Sequence, residues 1–576
     1  MLTPAYLPFF QRLEKNVIVL QAVETLLHAI DSGHVCLALT TLSRLISIER
    51  SILQHALIQS VLVGKAGEFS PFILDQNRLY LARLWFEETQ VARLLSQKIH
   101  AIPVEIAPAK EILDALFPSS SLNPDWQKVA AALSILHRLT IISGGPGTGK
   151  TTTLTRLLVA MLATQPTPLV IHLAAPTGKA AARMQTAIQQ AKRHIPEQFA
   201  SLLKHIPDTA STLHRLLRLS PLQPQGRTPL LLDILVVDEA SMIDLPMMNI
   251  LLQRLPETAH LILLGDQNQL ASVEPGSVFA SLCEGQGYSS HINQTLSQLT
   301  GFTLDAGIPK SRLSDAVVHL KHSYRFSASG GIGALARATH QGKIEGALQV
   351  LLQGGEEVIW LQDKEVAYAK MRAGYQAYFE AAQDLTIPMT AVFALWEQFR
   401  VLTPLREGSE GSIVLNQKVG QMLAGVKIHK QSWYSGRAIM ITENSPGVGL
   451  FNGDIGIVRE EAGEIWVYFT DDGSIRRFTP GRLPHYETAF VMTVHKSQGS
   501  EFDEVLCYLP DMSAALMTRA LFYTAVTRAR KQVTIYGQIS TLHHTLMHTE
   551  QRESGLADRL RIPLMLRGEQ LSLFDD

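Results

Sequence analysis

Apolar residues recur along this chain in two rhythms, and the places where the rhythm changes divide it. From the start to about residue 115 the aliphatics fall at helical spacing: Leu20, Val23, Leu27 and Ile30, then Leu39, Leu42, Leu45 and Ile46. Such spacing buries one face of each helix, so residues 1–115 are predicted to be a helical domain. It holds no cluster of His, Asp and Glu at metal-binding intervals and no Gly-rich loop, which leaves packing or docking as its expected role. Pro103, Pro108, Pro118 and the serines at 119–121 then interrupt the pattern and are expected to form a linker.

From about 116 to 315 short, mainly apolar runs take over, each ending in small or polar residues. Leu139, Ile141 and Ile142 lead into Ser143, residues 169–173 into Ala174, residues 234–237 into Asp238, and residues 261–264 into Gly265. Helical stretches separate them. Strands buried on both faces and alternating with helices predict a parallel, doubly wound α/β sheet. Residues 316–540 follow as a separate region. Within it, from about 435 to 485, the rhythm becomes that of short alternating strands, with turns at Asn452-Gly453-Asp454 and Asp471-Asp472-Gly473. A small β-barrel insertion is predicted there. After about 540 the chain becomes polar, and residues 541–576 read as a tail.

Composition narrows this picture. At 576 residues the chain is too long for one core and suits three or four domains. With 46% hydrophobic and 18% charged residues it is globular rather than disordered. The net charge of −1 excludes a protein driven to its partner by a global basic field, though not one with a local basic groove. Cys36, Cys283 and Cys507 lie far apart and form neither a metal-ligand cluster nor a disulfide framework, which fits a reduced compartment. No apolar run approaches the ~18 residues of a membrane span, and the first residues lack the layout of a secretory signal. A cytoplasmic protein is expected.

The strongest chemical signal is Ser143-Gly144-Gly145-Pro146-Gly147-Thr148-Gly149-Lys150-Thr151-Thr152, which follows an apolar strand and opens a helical pattern. This is a P-loop in its required strand–loop–helix setting. Glycines let several backbone N–H groups converge on one anion, and the helix N-terminus adds partial positive charge. Lys150 is expected to reach the β- and γ-phosphates of ATP and Thr151 to ligate Mg²⁺. Asp238 and Glu239 end the next strong strand, where ligands of open α/β sheets sit. Asp238 is expected to hold the Mg²⁺ through water and Glu239 to polarise the attacking water. Gln269, supported by Asp266, is placed to sense the γ-phosphate. Gln127, in the stretch Asn123–Gln127 that opens a helix with Asn123 or Pro124 near its cap, carries an amide suited to the edge of adenine, although such a residue is commonly a surface one.

Pro176, Thr177 and Lys179 follow another buried strand and offer groups to a nucleic-acid backbone, or form an ordinary strand–helix turn. Thr212 and His214 have the same two readings: strand contacts, or a simple helix cap.

In this order GPGTGKT, APTGKAA, DEAS and GDQNQL resemble the motifs of superfamily-one DNA helicases. GHVCLAL at 33–39 and RLYLARLWFEE at 78–88 sharpen the resemblance to the RecD family, the alpha subunits of exodeoxyribonuclease V (the RecBCD complex), over nearly the whole chain. The resemblance implies two RecA-like motor domains, an SH3-like insertion and ATP-dependent 5′→3′ DNA unwinding. It implies RecB- and RecC-like partners in a heterotrimer, with any nuclease site in a partner. It also implies that Arg325 reaches the γ-phosphate from the second domain, that Arg528 is a second arginine finger, and that His495, Lys496 and Ser497 hold the DNA strand. Two rival readings are a regulatory ATP-binding subunit and a stand-alone helicase of the same branch. Finally, Gln570-Leu571-Ser572-Leu573-Phe574 resembles the peptide that docks bacterial proteins on the polymerase sliding clamp, and is equally an ordinary amphipathic chain end.

Overall fold

A computed structural model describes residues 3–99, 101–118, 123–219, 229–272, 274–284, 287–304, 312–326, 330–425, 433–445, 447–471, 474–511, 516–550 and 552–561. The N-terminal region is not purely helical. The helices Val17–Asp31 and Leu39–Ile46 follow the predicted spacing, but a four-stranded sheet lies among the N-terminal helices. Its strands are β1 (Cys36–Ala38), β2 (Val63–Lys65), β3 (Phe72–Asp75) and β4 (Arg78–Leu81), in the order β1-β4-β3-β2. The expected linker is also structured, because Ile106–Leu116 forms a helix whose Leu113 and Leu116 are buried.

The first motor sheet is built from β5 (Leu139–Gly144), β6 (Ile171–Ala175), β7 (Ser211–Thr212), β8 (Ile234–Val237), β9 (His260–Gly265) and β10 (Val317–Leu320). All pairings are parallel and the order is β10-β5-β9-β8-β6-β7. Ser143 pairs with Gly265 and Ala174 with Val237, so the loops after β5, β6, β8 and β9 emerge at one edge. That common edge is where parallel sheets gather their ligands. One face of the sheet packs into a core shared with the N-terminal region, including Leu26, Leu57, Leu235 and Leu261. The other face packs with the helices Trp126–Leu136 and Lys150–Ala163.

The second motor sheet uses β11 (Val358–Leu361) and β12 (Phe399–Thr403), and closes with β18 (Val491–Thr493), β19 (Phe502–Tyr508) and β20 (Ala529–Tyr536). It is again parallel, in the order β11-β20-β19-β12-β18. Between β12 and β18 comes the insertion, an antiparallel sheet of β13 (Ala438–Ile441), β14 (Ile455–Glu461), β15 (Glu464–Asp471), β16 (Ser474–Phe478) and β17 (Tyr486–Thr488). It has its own small core, with Ile439, Val458, Val467 and Phe469. Among the described residues no pairing joins its end strands β16 and β17, so the sheet is open rather than a closed barrel.

The expected tail is folded as far as residue 561. Helices Ile539–Met547 and Leu556–Arg561 form there, and Leu556 and Leu560 enter the N-terminal core. The clamp-like peptide at 570–574 lies outside the described residues. No described helix is long and apolar enough to cross a membrane.

Candidate nucleotide cleft and strand-facing loops

The P-loop turns through left-handed conformations at Gly147 (φ +75°) and Gly149 (φ +78°), and helix Lys150–Ala163 begins directly after it. A Cβ at Gly147 would lie 2.2 Å from the Cβ of Arg325. Glycine is therefore required there by the approach of a distant segment as well as by the turn. Lys150 Nζ donates to Gly144 O at 2.6 Å and to Gly145 O at 3.3 Å, so the ammonium lies over its own loop. Thr148 Oγ1 donates to Gly145 O, while Thr151 is half-buried and Thr152 exposed. Gln127 braces the loop, its Nε2 donating to Thr148 O at 3.1 Å. Its helix, Trp126–Leu136, is capped by Asp125, whose Oδ1 accepts from Gln127 N and Lys128 N. Pro124 and Asn123 lie one and two residues before this cap.

Beside the P-loop, β8 delivers Asp238 and Glu239. Burial, then the neighbouring Glu239, pushes the Asp238 carboxyl up to about 6 against the pull of Lys150. Glu239 holds a left-handed backbone (φ +52°), with its N–H bonded to Asp238 Oδ1 at 2.8 Å. Such a conformation costs a non-glycine residue about 1–3 kcal/mol and persists where the surroundings impose it. After β9, Asp266 is fully buried, and burial raises its pKa. Its Oδ2 accepts from Gln269 Nε2 (3.3 Å) and from Tyr523 Oη of the second motor domain (3.0 Å). The amide of Gln269 is thus oriented from behind, and its Oε1 is buried with no hydrogen-bond partner among the described residues.

The segment after β10, which carries the first sheet past the expected boundary at 315, and the second domain both border this edge. Tyr324 N donates to Gly147 O at 2.7 Å and Ser323 Oγ to Pro146 O at 3.2 Å, which fixes Arg325 against the P-loop. Arg325 Nη1 lies 2.7 Å from Glu501 Oε1, and Arg183 pairs with the same oxygen. Arg528, 2% exposed, donates to Thr524 O and Ser500 O, and burial lowers its pKa. Two further bonds cross between domains, Leu270 N to Thr524 Oγ1 and Gln498 Nε2 to Leu270 O (2.8 Å).

At the loops expected to face a strand, Thr177 caps helix Gly178–Lys192 by accepting from Ala180 N, beside the half-buried Pro176. Lys179 is half-buried beneath the insertion, where a Cβ at Gly453 would lie 3.8 Å from its Cε. Burial, then Arg400, pushes its ammonium down to about 8, opposed by Asp454 and Glu397. Thr212 caps the short helix Leu213–Leu216, and His214 is exposed. In the second domain Lys496 pairs with Glu487 on β17. His495 is half-buried, its pKa lowered by burial, with Glu550 and Arg552 nearby. Ser497 is fully buried and donates to Val494 O at 2.7 Å, so its hydroxyl shapes the loop and is not offered to a strand. The two loops meet, because a Cβ at Gly499 would lie 3.4 Å from Thr177 Oγ1.

Two family models match the chain: an AAA domain over residues 127–275 and a UvrD-like helicase C-terminal domain over residues 488–536. The chain is 35% identical to the RecBCD enzyme subunit RecD of Haemophilus influenzae, over 86% of this chain and 82% of that one. To the RecBCD enzyme subunit RecD of Mycolicibacterium smegmatis it is 34% identical, over 97% and 98%. The chain belongs to the RecD family. The ATP-dependent RecD2 DNA helicase of Deinococcus radiodurans is 29% identical over 84% of this chain and 59% of its own length. Among solved structures, a Bacteroides Pif1 helicase with ADP-AlF3 and single-stranded DNA aligns with 72% of this chain and 91% of its own, at 15% identity and a TM-score of 0.38.

This RecD-type protein is an ATP-dependent DNA helicase. Its cleft brings together all six expected catalytic side chains, Lys150, Asp238, Glu239, Gln269, Arg325 and Arg528, at the facing edges of two sheets. Four participants escaped the sequence reading: Arg183, Glu501, Tyr523 and Thr524. Each sits within five residues of a position already singled out, but a lone charge or hydroxyl carries no signal until its partner, more than 200 residues away, is known.

Proposed function

We propose that ATP binds between the two parallel α/β domains and that its hydrolysis drives 5′→3′ movement along one DNA strand. The observation that supports this reading is that Tyr523, on a helix of the second domain's core, donates to Asp266 at the end of β9 beside the P-loop, so both domains border one cleft. Lys150 and the P-loop amides of residues 144–151 bind the phosphates, with Gln127 and Thr152 at the margin. Glu239 takes the proton of the attacking water, and Gln269 orients that water through its unpartnered Oε1. Arg325 and Arg528 place positive charge on the transferring phosphoryl, worth ~10³–10⁵ in rate when an arginine is supplied across a cleft.

The carboxylate pair fits a divalent cation, because burial and mutual repulsion already raise Asp238 and a cation would relieve both. Thr151 and Asp238 would hold Mg²⁺, which supplies neutralisation of the phosphate charge. The γ-phosphate favours the closed cleft, and its loss lets the domains part. Alternating grip by Thr177, Lys179, Thr212, His214, His495 and Lys496 on phosphates then advances the strand without reading its sequence.

RecB- and RecC-like subunits are the proposed partners in a heterotrimer, with any nuclease in a partner. Exposed apolar side chains on the N-terminal region, among them Phe9, Val17, Val61 and Phe69, support docking there. Strand displacement on forks of opposite polarity, with the chain alone and with those subunits, tests the whole reading. Unwinding from a 5′ overhang supports it. ATP turnover without unwinding in either setting would favour a regulatory switch instead.

A further inference from the structure

Two segments of this chain meet twice. At the strand-facing loops, Gly499 of the second domain abuts Thr177 of the first, its Cβ position 3.4 Å from the threonine hydroxyl. At the nucleotide cleft, Glu501 pairs with Arg183. The same short stretches, 177–183 and 499–501, therefore run side by side from the DNA face to the ATP face. On the first domain the path is a helix, Gly178–Lys192, capped by Thr177. Six residues of helix span about 9 Å at 1.5 Å per residue.

The far end of this path is crowded with charge. Glu501 Oε1 holds both Arg183 and, at 2.7 Å, Arg325. Arg183 also lies close enough to Glu239 and Asp238 to feel both carboxylates. The backbone around Glu501 is fixed from both sides by Arg528, which donates from its guanidinium to Ser500 O and accepts at its carbonyl from Phe502 N. Glu501 is nearly enclosed, with 10% of its side chain exposed, while Arg183 keeps 42% exposure. A carboxylate so confined cannot shift without moving both guanidinia, and a rigid helix passes displacement from one end to the other.

We propose that Arg183 is a positioning residue of the ATPase centre, clamped by Glu501, through which a DNA strand seated at Thr177 sets Arg325 and the Asp238–Glu239 pair for hydrolysis. This rests on the motor reading and adds the residues that make turnover respond to DNA. Arg183 acts by holding Glu501, and with it Arg325, in register with the P-loop.

The test is steady-state ATP turnover of the full chain with and without an oligothymidylate strand, together with binding of the labelled oligonucleotide by anisotropy. In Arg183→Ala, DNA-stimulated kcat is expected to fall about 10-fold or more while the KM for ATP and the oligonucleotide Kd stay within about twofold. Arg183→Lys, which keeps the charge, is expected to recover a substantial part of that loss. Glu501→Gln should reproduce the Arg183→Ala defect, and the double variant should be no worse than either single one, as expected for groups acting as a unit. Unchanged stimulation in Arg183→Ala, a loss explained by weaker DNA binding, or additive defects would each overturn the inference and leave the motor reading standing. Equal wild-type turnover with and without DNA would overturn both.

Discussion

Two ionic seams hold distant parts of this molecule together, and they are built differently. Between the N-terminal region and the C-terminal segment, Glu88 is wholly buried and accepts four hydrogen bonds. Arg559 Nε (2.9 Å) and Tyr80 Oη (3.1 Å) reach one oxygen, and Ser554 Oγ (2.6 Å) and Gly555 N (2.9 Å) the other. Arg559 is 3% exposed and also pairs with Asp75 at 2.8 Å. At the nucleotide cleft, Glu501 instead spends one oxygen on two arginines that reach it from separate segments. A buried carboxylate with every lone pair satisfied has nothing to gain by opening. A carboxylate shared between cations that an anionic phosphate also attracts can exchange partners. The first arrangement suits a permanent joint, the second a joint that must open in every catalytic cycle.

The sharpest break in this comparison comes from Lys150→Gln. DNA-stimulated turnover should fall at least ~10²–10³-fold, as for loss of a key transition-state donor, with the thermal transition unmoved. Normal turnover would remove the cleft from the reaction. Arg559→Ala should do the opposite. It leaves Glu88 buried without its cation, costing about 3–5 kcal/mol, so the denaturant midpoint of the first transition should drop while turnover per folded molecule holds. An unmoved midpoint would mean that the seam is not permanent.

A milder probe is Gln498→Ala, which removes the 2.8 Å bond to Leu270 O across the two domains. At about 0.5–1.5 kcal/mol it should raise the apparent KM for ATP by several-fold and leave stability nearly alone. If stability fell and KM did not, the bond would belong with the permanent joints.

The smallest effect concerns acid. His34 Nδ1 accepts from Glu553 N at 3.1 Å, which requires the neutral ring, and burial, opposed by Glu553, lowers its pKa below the usual 6.5. The folded chain therefore binds this proton less readily than the unfolded one. The contribution is complete above about 6.5 and is lost as pH falls below it. Limited proteolysis between residues 1–115 and the motors should accelerate below that pH, and His34→Asn should flatten the dependence. Equal acid sensitivity in the variant would assign it elsewhere.

These contrasts also mark how far the chain could be read unaided. The P-loop, the apolar strands ending in Asp238 and Asp266, and the parallel sheets were legible because each signal is local: a spacing of glycines, or a run of residues buried on both faces. The N-terminal sheet was not legible, since strands such as β1 and β2 have three residues each, too few for alternation to register between strong helices. The C-terminal segment read as a tail because its anchors are isolated, with Leu556, Leu560 and Arg559 scattered among polar neighbours. The helix start before the P-loop was legible to within one or two residues of Asn123 and Pro124, and Asp125 is the residue that bonds its first amides.

The amino-acid sequence by itself determined the chemistry available: a phosphate cradle at 144–151, two carboxylates at 238–239, an amide at 269, and arginines at 325 and 528. The cradle, the carboxylates and the amide follow from backbone conformation and short-range periodicity, which act over a few residues, whereas the two arginines were singled out by the family resemblance. Only the tertiary structure decided which charges face one another. It put Arg183 and Arg325 on Glu501, drew Gly147 against Arg325, and closed Glu88 onto Arg559, 471 residues further along the chain. Coulombic and hydrogen-bonding partners so far apart are chosen by how the buried apolar faces stack, and that stacking has no signature at any single position.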